Sequence, residues 1–205
     1  MTPSIRSIGG KTRAMPSPLA SGPSLSLDDK LSIGHSVSFV DDRAAILSLE
    51  SAIGDSHRGL PENIFLFVSR ITPIVNVDLL IQDKVGRTLL TWRDDRFYGC
   101  GWHVPGGIIR YKEKAADRIR VCAREEVGAE LSFEQTPFLV SETISDQNSR
   151  GHFISLLYRC TLLSPLDEER RGRTEPPEVG KWRWHDRCPP NLLSVQSHYA
   201  GLLQP

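Results

Sequence analysis

The sequence predicts an α+β domain in which helices sandwich a mixed β-sheet. Three observations lead to this fold class. A run rich in β-branched residues at 73–82 predicts a strand, and a polar turn separates it from a returning apolar run at 87–93. Apolar residues at helical spacing follow at 113–127. Because strands and helices mix without a regular βαβ rhythm, we expect a mixed sheet.

The elements follow in chain order. Acidic residues at the start and a glycine at the end predict a helix over 41–54, and Pro61 opens a second short helix that runs to about residue 70. After the first two strands, residues 94–101 are predicted to form a loop before a strand that ends in a Pro-Gly-Gly turn. The helix over 113–127 stops at Gly128. The remaining predicted elements are strands around 138–142, 152–162 and 181–184, a charged loop at 165–178 and a short helix near Asn191.

Composition divides the chain into segments. Residues 1–30 are rich in Ser, Pro and Gly, which predicts a disordered tail. An organelle transit peptide and a true start at Met15 are alternative explanations of this tail. Residues 31–60 are predicted to form a helical N-terminal extension, residues 61–190 the main domain and residues 191–205 a C-terminal tail.

The charge balance and the cysteines limit the partners and the compartment. The 205 residues include 25 Lys and Arg against 25 Asp and Glu, so the formal net charge is zero at pH 7. Broad binding to nucleic acid or to anionic membranes needs a basic excess, so we expect neither partner. Four widely spaced cysteines without a Cys-x-x-Cys pair are typical of reduced thiols in a cytoplasmic protein.

A glycine turn beside an acidic helix end carries the candidate chemistry. Gly106 and Gly107 permit close approach of other groups, and Glu125 and Glu126 lie near the end of the predicted helix. A backbone carbonyl and a carboxylate aimed at one point suit Mg²⁺, which completes its shell with water and substrate phosphates. The plain alternative is a structural turn beside a solvated acidic helix face. Other charged residues of this helix are predicted to form its solvated face: Arg118, Arg120 and Arg124.

This stretch resembles the sequence box of the Nudix hydrolase superfamily, Gly-x5-Glu-x7-Arg-Glu-aliphatic-x-Glu-Glu-x-Gly. Val121 stands in place of the Arg of the box, and Cys122 stands in place of the Glu that follows it. In ordinary Nudix pyrophosphatases that Glu helps to bind metal, and a thiol does not replace it as a ligand for a hard cation. The positions that match the box are Gly107, Glu113, Ala123, Glu125, Glu126 and Gly128.

Four further stretches carry a resemblance, at residues 71–81, 91–107, 149–160 and 175–184. They are similar to one divergent branch, the GDP-mannose mannosyl hydrolases, and the similarity covers roughly residues 61–186. This branch also departs from the box at the Arg-Glu pair. The resemblance implies a Nudix fold, a homodimer and a Mg²⁺-dependent reaction. In that reaction a nucleotide sugar is hydrolysed at the anomeric carbon with inversion, which releases GDP and free sugar.

The resemblance implies roles for five residues. Arg93 falls on the arginine that faces the leaving diphosphate, and Asp78 falls on an acid that lines the active site. Gly106 would supply a backbone carbonyl to the metal and Glu126 a carboxylate, while Glu178 matches a Gln ligand. An arginine suits the first role because its planar fork matches phosphate oxygens.

Other positions depart from the branch. Val179 stands where the branch has its general base, a His, and Ile108 and Val121 stand where it has two nucleotide-binding arginines. Arg110, on the same turn, is a candidate replacement for one of them. His152 begins a stretch that resembles a later core strand and is predicted to contact substrate. The candidates for the base, in no order, are Glu178, Glu125, His152 and His185.

Three functional hypotheses follow. The first is a cytoplasmic Mg²⁺-dependent hydrolase of a nucleoside diphosphate-sugar, with Asp78, Glu125 and Glu126 as catalytic residues. The second keeps the enzyme but cleaves the diphosphate linkage, giving a nucleoside monophosphate and a sugar phosphate. The third is a catalytically weak Nudix fold that binds a nucleotide sugar, which the missing Arg-Glu pair and Val179 keep open.

Overall fold

The computed structural model describes residues 42–204. The predicted disordered tail, residues 1–30, lies outside the described residues, as does the first part of the predicted N-terminal extension. Within the described range, no helix has the length and hydrophobicity required to cross a membrane.

Two helices precede the first strand, as the sequence predicts. α1 spans Asp42–Ile53 and carries an acidic residue in its first turn, which favours a helix N-terminus. A 3-10 turn at Ser56–Arg58 follows. α2 spans Glu62–Val68 and begins directly after Pro61, whose fixed φ suits the start of a helix.

Two sheets are present in the described part of the chain. In the larger sheet the strand order is β4-β1-β7-β5, and β6 also pairs with β7. The β1–β7 pair is parallel and the other pairs of this sheet are antiparallel, so the sheet is mixed, as predicted. The smaller sheet has the order β3-β2-β8. In chain order the strands are β1 Ile74–Ile81, β2 Thr88–Asp95, β3 Gly99–His103, β4 Gly106–Ile108, β5 Leu131–Phe133, β6 Leu139–Ile144, β7 His152–Leu162 and β8 Trp182–His185.

The loop predicted for residues 94–101 is wrong, because β2 continues to Asp95 and β3 begins at Gly99. Asp95 makes the connection tight, since its side chain accepts hydrogen bonds from the backbone N–H groups of Phe97 and Tyr98. β5 has no counterpart among the predicted strands, and β4 occupies Gly106 and Gly107, where the sequence predicted a turn. Three residues are too few to show an alternating pattern.

The helix that the sequence predicts over 113–127 has two parts. α3 spans Ala115–Cys122, and a π-helical turn continues it over Ala123–Val127. Gly128 follows at φ 66°, a left-handed conformation that favours glycine. A π turn changes the direction of its side chains, and such turns are frequent at functional sites. This one carries the adjacent glutamates of the box.

The core lies on both faces of β1, because side chains alternate along a strand. Val77 faces one side and belongs to a buried cluster with Ile119 of α3. Leu80 faces the other side and belongs to a cluster with Tyr199. Tyr199 is part of the C-terminal segment, a run of 3-10 turns over Ser194–Leu202. α3 and the C-terminal segment therefore cover opposite faces of the larger sheet.

Candidate active site

A cleft of about 420 Å³ is lined by residues of both sheets, the π turn and the C-terminal segment. Two groups of charged side chains line it. The carboxylate group consists of Asp78, Glu125 and Glu126, and the arginine group consists of Arg93 and Arg150. All of these except Arg150 are predicted site residues, and the structure brings them into one cleft.

Glu126 is held by contacts from several strands. Its Oε1 accepts a hydrogen bond from the backbone N–H of Gly106 at 3.1 Å, and its Oε2 accepts one from Thr91 Oγ1 at 2.9 Å. His103 Nε2 lies 3.4 Å from Oε2, and the Glu126 side chain is 25% exposed. The carboxylate is therefore fixed in position and still accessible from the cleft. Glu125, next to it on the π turn, also lines the cleft.

Asp78 is a buried carboxyl group with two hydrogen-bond donors. Tyr199 Oη donates to its Oδ2 at 2.8 Å, and Asn76 Nδ2 donates to its Oδ1 at 3.0 Å. Burial raises the pKa of Asp78 to about 6, although both hydrogen bonds and the nearby His103 lower it. Gly106 pairs with Asp78 across β1 and β4, and a Cβ on this glycine would lie 2.6 Å from Asp78 Oδ1. Because glycine has no Cβ, Gly106 leaves room for the carboxyl group of Asp78.

The arginine group continues along β2 from the carboxylate group. Thr91, which contacts Glu126, and Arg93 are two residues apart on β2, so they face the same side of the strand about 7 Å apart. Arg93 Nε forms an ion pair with Asp95 Oδ2 at 2.5 Å, and the arginine side chain is 33% exposed. A phosphate group that enters the cleft would therefore meet a guanidinium close to the carboxylates.

The two positions that depart from the box lie outside the cleft lining. With Val121 at the arginine position, the buried Arg118 donates from Nε to Glu113 at 2.9 Å. Arg118 is therefore not part of a solvated face, because it pairs with the first Glu of the box. Cys122 is buried against Gly107, and burial raises the pKa of its thiol to about 12. The thiol stays protonated and offers no charge to a metal ion.

Three residues with predicted metal or substrate roles lie outside the cleft lining. Glu178 lines a separate charged depression, and its side chain is 70% exposed. Arg110 Nη1 donates to the backbone carbonyl of His57 at 3.2 Å. His152 Nε2 lies 2.9 Å from Glu142 Oε1, between β7 and β6. The structure does not bring these side chains to the carboxylate group, and their assigned roles stay predictions.

Among the four candidates for the general base, Glu125 is the one that lines the cleft. His185 packs edge-on against Trp102 at a ring distance of 4.5 Å, and burial lowers its pKa to about 4. Val179 lines the cleft at the position of the family base, but its side chain does not titrate. Asp78, which is predicted to line the active site, is a further acid in the cleft that can accept a proton.

Arg150 and the C-terminal segment also contribute to the cleft, although the sequence predicts no role for either. Val195 and Gln196 line the cleft. Gln196 Oε1 accepts a hydrogen bond from the backbone N–H of Val104 at 2.7 Å, and its Nε2 donates to the carbonyl of the same residue at 3.3 Å. The apolar run that follows Tyr199 is the sequence signal that this segment packs on the core.

The donor set fits a divalent cation that keeps part of its water shell. Within residues 42–204, no three side chains of His, Cys, Asp or Glu form a group that could hold a metal ion. Mg²⁺ does not need such a group, since one or two carboxylates, waters and substrate phosphates complete its shell. Glu126, which accepts a hydrogen bond from the Gly106 N–H, is the position in the cleft that best fits such a cation.

The sequence matches the pattern of the NUDIX domain family over residues 72–192. The chain belongs to the Nudix hydrolase family. The predicted Nudix fold of the α+β class and the predicted hydrolase class are therefore confirmed. The match ends before the C-terminal segment, so the contacts of Gln196 and Tyr199 with the site come from outside the matched region.

This Nudix hydrolase is similar to known proteins at low identity. The low-salt glycan biosynthesis protein Agl8 of Haloferax volcanii is 25% identical over 107 residues, which cover 50% of this chain and 68% of that protein. A structure described as a possible asymmetric diadenosine tetraphosphate hydrolase, from Jonesia denitrificans, is 19% identical with a TM-score of 0.50 and covers 66% of this chain and 99% of its own. The MutT Nudix hydrolase of Burkholderia pseudomallei is 21% identical with a TM-score of 0.50, over 65% of this chain and 99% of its own. At these identities the two structures show the shared fold alone.

Proposed function

We propose that this Nudix hydrolase is a Mg²⁺-dependent enzyme that splits a nucleoside diphosphate-sugar, of the GDP-mannose kind, into nucleoside diphosphate and free sugar. The single observation that carries the proposal is the cleft in which Asp78 and Glu126 lie close to Arg93. A nucleotide sugar presents a diphosphate next to a sugar carbon. Its hydrolysis therefore requires cationic groups for the diphosphate beside an acid that accepts a proton from water.

Each group in the cleft has a role in this reaction. Arg93 binds the diphosphate and stabilises its charge as the bond to the sugar carbon breaks. Glu126 and the backbone carbonyl of Gly106 would hold Mg²⁺, which supplies further positive charge to the diphosphate when bound. Asp78 or Glu125 accepts the proton of the water whose oxygen bonds to the sugar carbon. With a pKa of about 6, Asp78 is mostly ionised at neutral pH.

The altered box supports attack at the sugar carbon rather than at phosphorus. Cys122 places a protonated thiol where ordinary Nudix pyrophosphatases have a metal-binding carboxylate. The resemblance to the GDP-mannose mannosyl hydrolases supports the same choice, and the glycan biosynthesis in the name of the Agl8 relative fits a nucleotide-sugar substrate. Cleavage of the diphosphate linkage is the second candidate, because Glu125 and Glu126 are both retained in the cleft.

Hydrolysis in oxygen-18-labelled water separates the two reactions. The protein is incubated with Mg²⁺ and a panel of nucleotide sugars that includes GDP-mannose, and the products are identified by mass spectrometry. We expect nucleoside diphosphate and free sugar, with the label in the sugar. A nucleoside monophosphate and a sugar phosphate, with the label in one of the phosphates, would assign ordinary pyrophosphatase chemistry instead.

Two variants test whether turnover comes from this cleft. Glu126→Gln keeps the size of the side chain but removes its charge, and we expect kcat to fall at least about 100-fold. Glu50→Gln makes the same change on the exposed surface of α1 and should leave kcat unchanged. If the wild-type protein binds nucleotide sugars in calorimetry and turns none of them over, a binding module replaces the enzyme as the proposed function.

The proposal also covers location and assembly. The four cysteines lie in the described part of the chain and are free, which fits the reducing cytoplasm. The resemblance to the mannosyl hydrolases supports a homodimer. Size-exclusion chromatography with light scattering measures the assembly, and a monomer at micromolar concentration would reject the dimer.

A further inference from the structure

Arg150 precedes β7 and is held by a group of aromatic rings. Its guanidinium carbon lies 4.7 Å from the ring centre of Phe97, 5.7 Å from that of Tyr98 and 5.8 Å from that of Phe65. Its backbone carbonyl accepts a hydrogen bond from Tyr98 Oη at 2.5 Å, and its backbone N–H donates to Ser69 Oγ at 3.0 Å. These contacts hold the arginine in the wall of the cleft.

Two features of Arg150 are costly for a residue with a purely structural role. Its φ is 57°, in the left-handed region that residues with a Cβ rarely adopt. Its Nε is buried and has no hydrogen-bond acceptor within residues 42–204. An unsatisfied buried donor costs free energy, and native proteins keep few of them. Backbone strain and an unsatisfied donor therefore coincide at one residue of the cleft.

The charges around Arg150 leave a positive excess. Burial lowers the pKa of Arg150, and repulsion from Arg93 lowers it further. Asp95 attracts both arginines but forms its ion pair with Arg93. One carboxylate between two guanidiniums leaves about one net positive charge in this part of the cleft, which favours an anion.

We propose that Arg150 is a second diphosphate-binding residue, which contacts one phosphate of the substrate while Arg93 contacts the other. This inference rests on the proposed function, because it names a further binding residue for the same substrate. A planar guanidinium stacked on aromatic rings presents its N–H groups along its edge, and this arrangement matches phosphate oxygens. Since the rings and the backbone contacts already hold Arg150, it loses little conformational freedom when a phosphate binds.

Binding of inorganic pyrophosphate in Mg²⁺ buffer, measured by calorimetry, tests this role without turnover. Arg150→Asn removes the charge and tolerates a left-handed φ, so we expect the Kd to rise about 10- to 100-fold. Arg150→Lys keeps the charge without the planar fork and should have an intermediate Kd. Arg96→Gln is the matched control, because Arg96 stacks on the same Phe97 ring at 5.0 Å but is exposed and paired with Glu62. Its Kd should stay within about twofold of wild type.

Two results would overturn the inference. The first is unchanged pyrophosphate binding by Arg150→Asn, with thermal unfolding showing that the variant is folded. The second is an equal loss in Arg150→Asn and Arg96→Gln, which would indicate ring packing rather than anion binding. If Arg150→Asn does not fold, Arg150→Lys decides, because an unchanged Kd there also rejects the role. The oxygen-18 experiment tests the proposed function separately. If no nucleotide sugar is turned over but pyrophosphate binding depends on Arg150, the proposed function is rejected and the role of Arg150 is supported.

Discussion

Tyr199 Oη donates a hydrogen bond to Asp78 Oδ2 at 2.8 Å, across 121 positions of the sequence. Tyr199 is fully buried and belongs to the C-terminal segment, beyond the end of the family match at residue 192. The other carboxyl oxygen accepts a hydrogen bond from Asn76, which in turn accepts one from Ser155 Oγ at 3.1 Å. Residues from three separate parts of the chain therefore orient the acid that we assign to the reaction.

Tyr199→Phe should move the acid limb of the pH–rate profile to higher pH. The hydrogen bond from Tyr199 favours the ionised form of Asp78, so its loss raises the pKa of Asp78 further above about 6. If the ionised carboxylate of Asp78 accepts the proton of water, as we propose, kcat/KM should fall more at pH 6 than at neutral pH. Tyr158→Phe is the matched control, since Tyr158 is a buried tyrosine in the cluster on the α3 side. Superimposable profiles for Tyr199→Phe and wild type would contradict the role of this hydrogen bond.

Asp78→Asn should change how stability depends on pH. Burial raises the pKa of Asp78 from 3.8 to about 6, so between these values the native state holds a proton that the unfolded chain releases. The free energy of unfolding contributed by this group therefore falls as the pH rises through that window. Urea unfolding of both proteins at several pH values measures the difference, and we expect the variant to lack this fall. If the free energies of unfolding of the two proteins depend on pH in the same way, Asp78 titrates in the folded protein as it does in the unfolded chain.

Gly107→Ala should lower the free energy of unfolding by about 1–3 kcal/mol. A Cβ at Gly107 would lie 2.6 Å from Cys122 Sγ, so one of the two groups must move. Cys122→Ala removes the sulfur, and the double variant should recover part of the loss. Gly201→Ala is the control, because a Cβ there meets no atom within 4 Å. Urea titration of the single and double variants measures the coupling, and strict additivity would show that the two positions are not in contact.

Arg118→Met should destabilise the protein by about 3–5 kcal/mol, because it leaves Glu113 largely buried without its cation. Arg118 Nη2 lies 2.8 Å from Glu113 Oε2, and the two side chains are 5% and 16% exposed. Arg120→Met breaks a similar pair with Asp117 on the same helix, but there the side chains are 56% and 58% exposed. We expect a loss below about 1 kcal/mol for that pair. Equal decreases in Tm for the two variants would show that the burial of Arg118 adds nothing to the stability that its ion pair provides.

Local patterns predicted the elements that have a clear period. The apolar run at 73–82 is found as β1, Ile74–Ile81, and the run at 152–162 is found as β7, His152–Leu162. The helix predicted over 113–127 begins two residues later, at Ala115, and its last part is a π turn. Helical spacing does not distinguish a π turn from an α turn over so few residues.

The predicted site residues that line the cleft belong to the box or to the strands that support it. They include Asp78, Arg93, Gly106 and Glu126. Their positions depend on the register in which β1 pairs with β4 and β2 pairs with β3. Glu178 and Arg110 lie outside the cleft lining, and each lies in a connection between strands or helices. The direction of such side chains depends on partners that the local sequence does not identify.

The sequence by itself determined the family, the order of the main elements and the adjacent glutamates near the end of the helix. Each of these features depends on residue spacing within a short stretch of chain. The tertiary structure decided that Arg118 pairs with Glu113, that Tyr199 donates to Asp78, and that Arg150 lies in the same cleft as Arg93. The last two relationships join residues more than 50 positions apart, and the first depends on which face of α3 is buried. Packing of the whole domain sets such contacts, because burial and the need to satisfy polar groups act between distant parts of the chain.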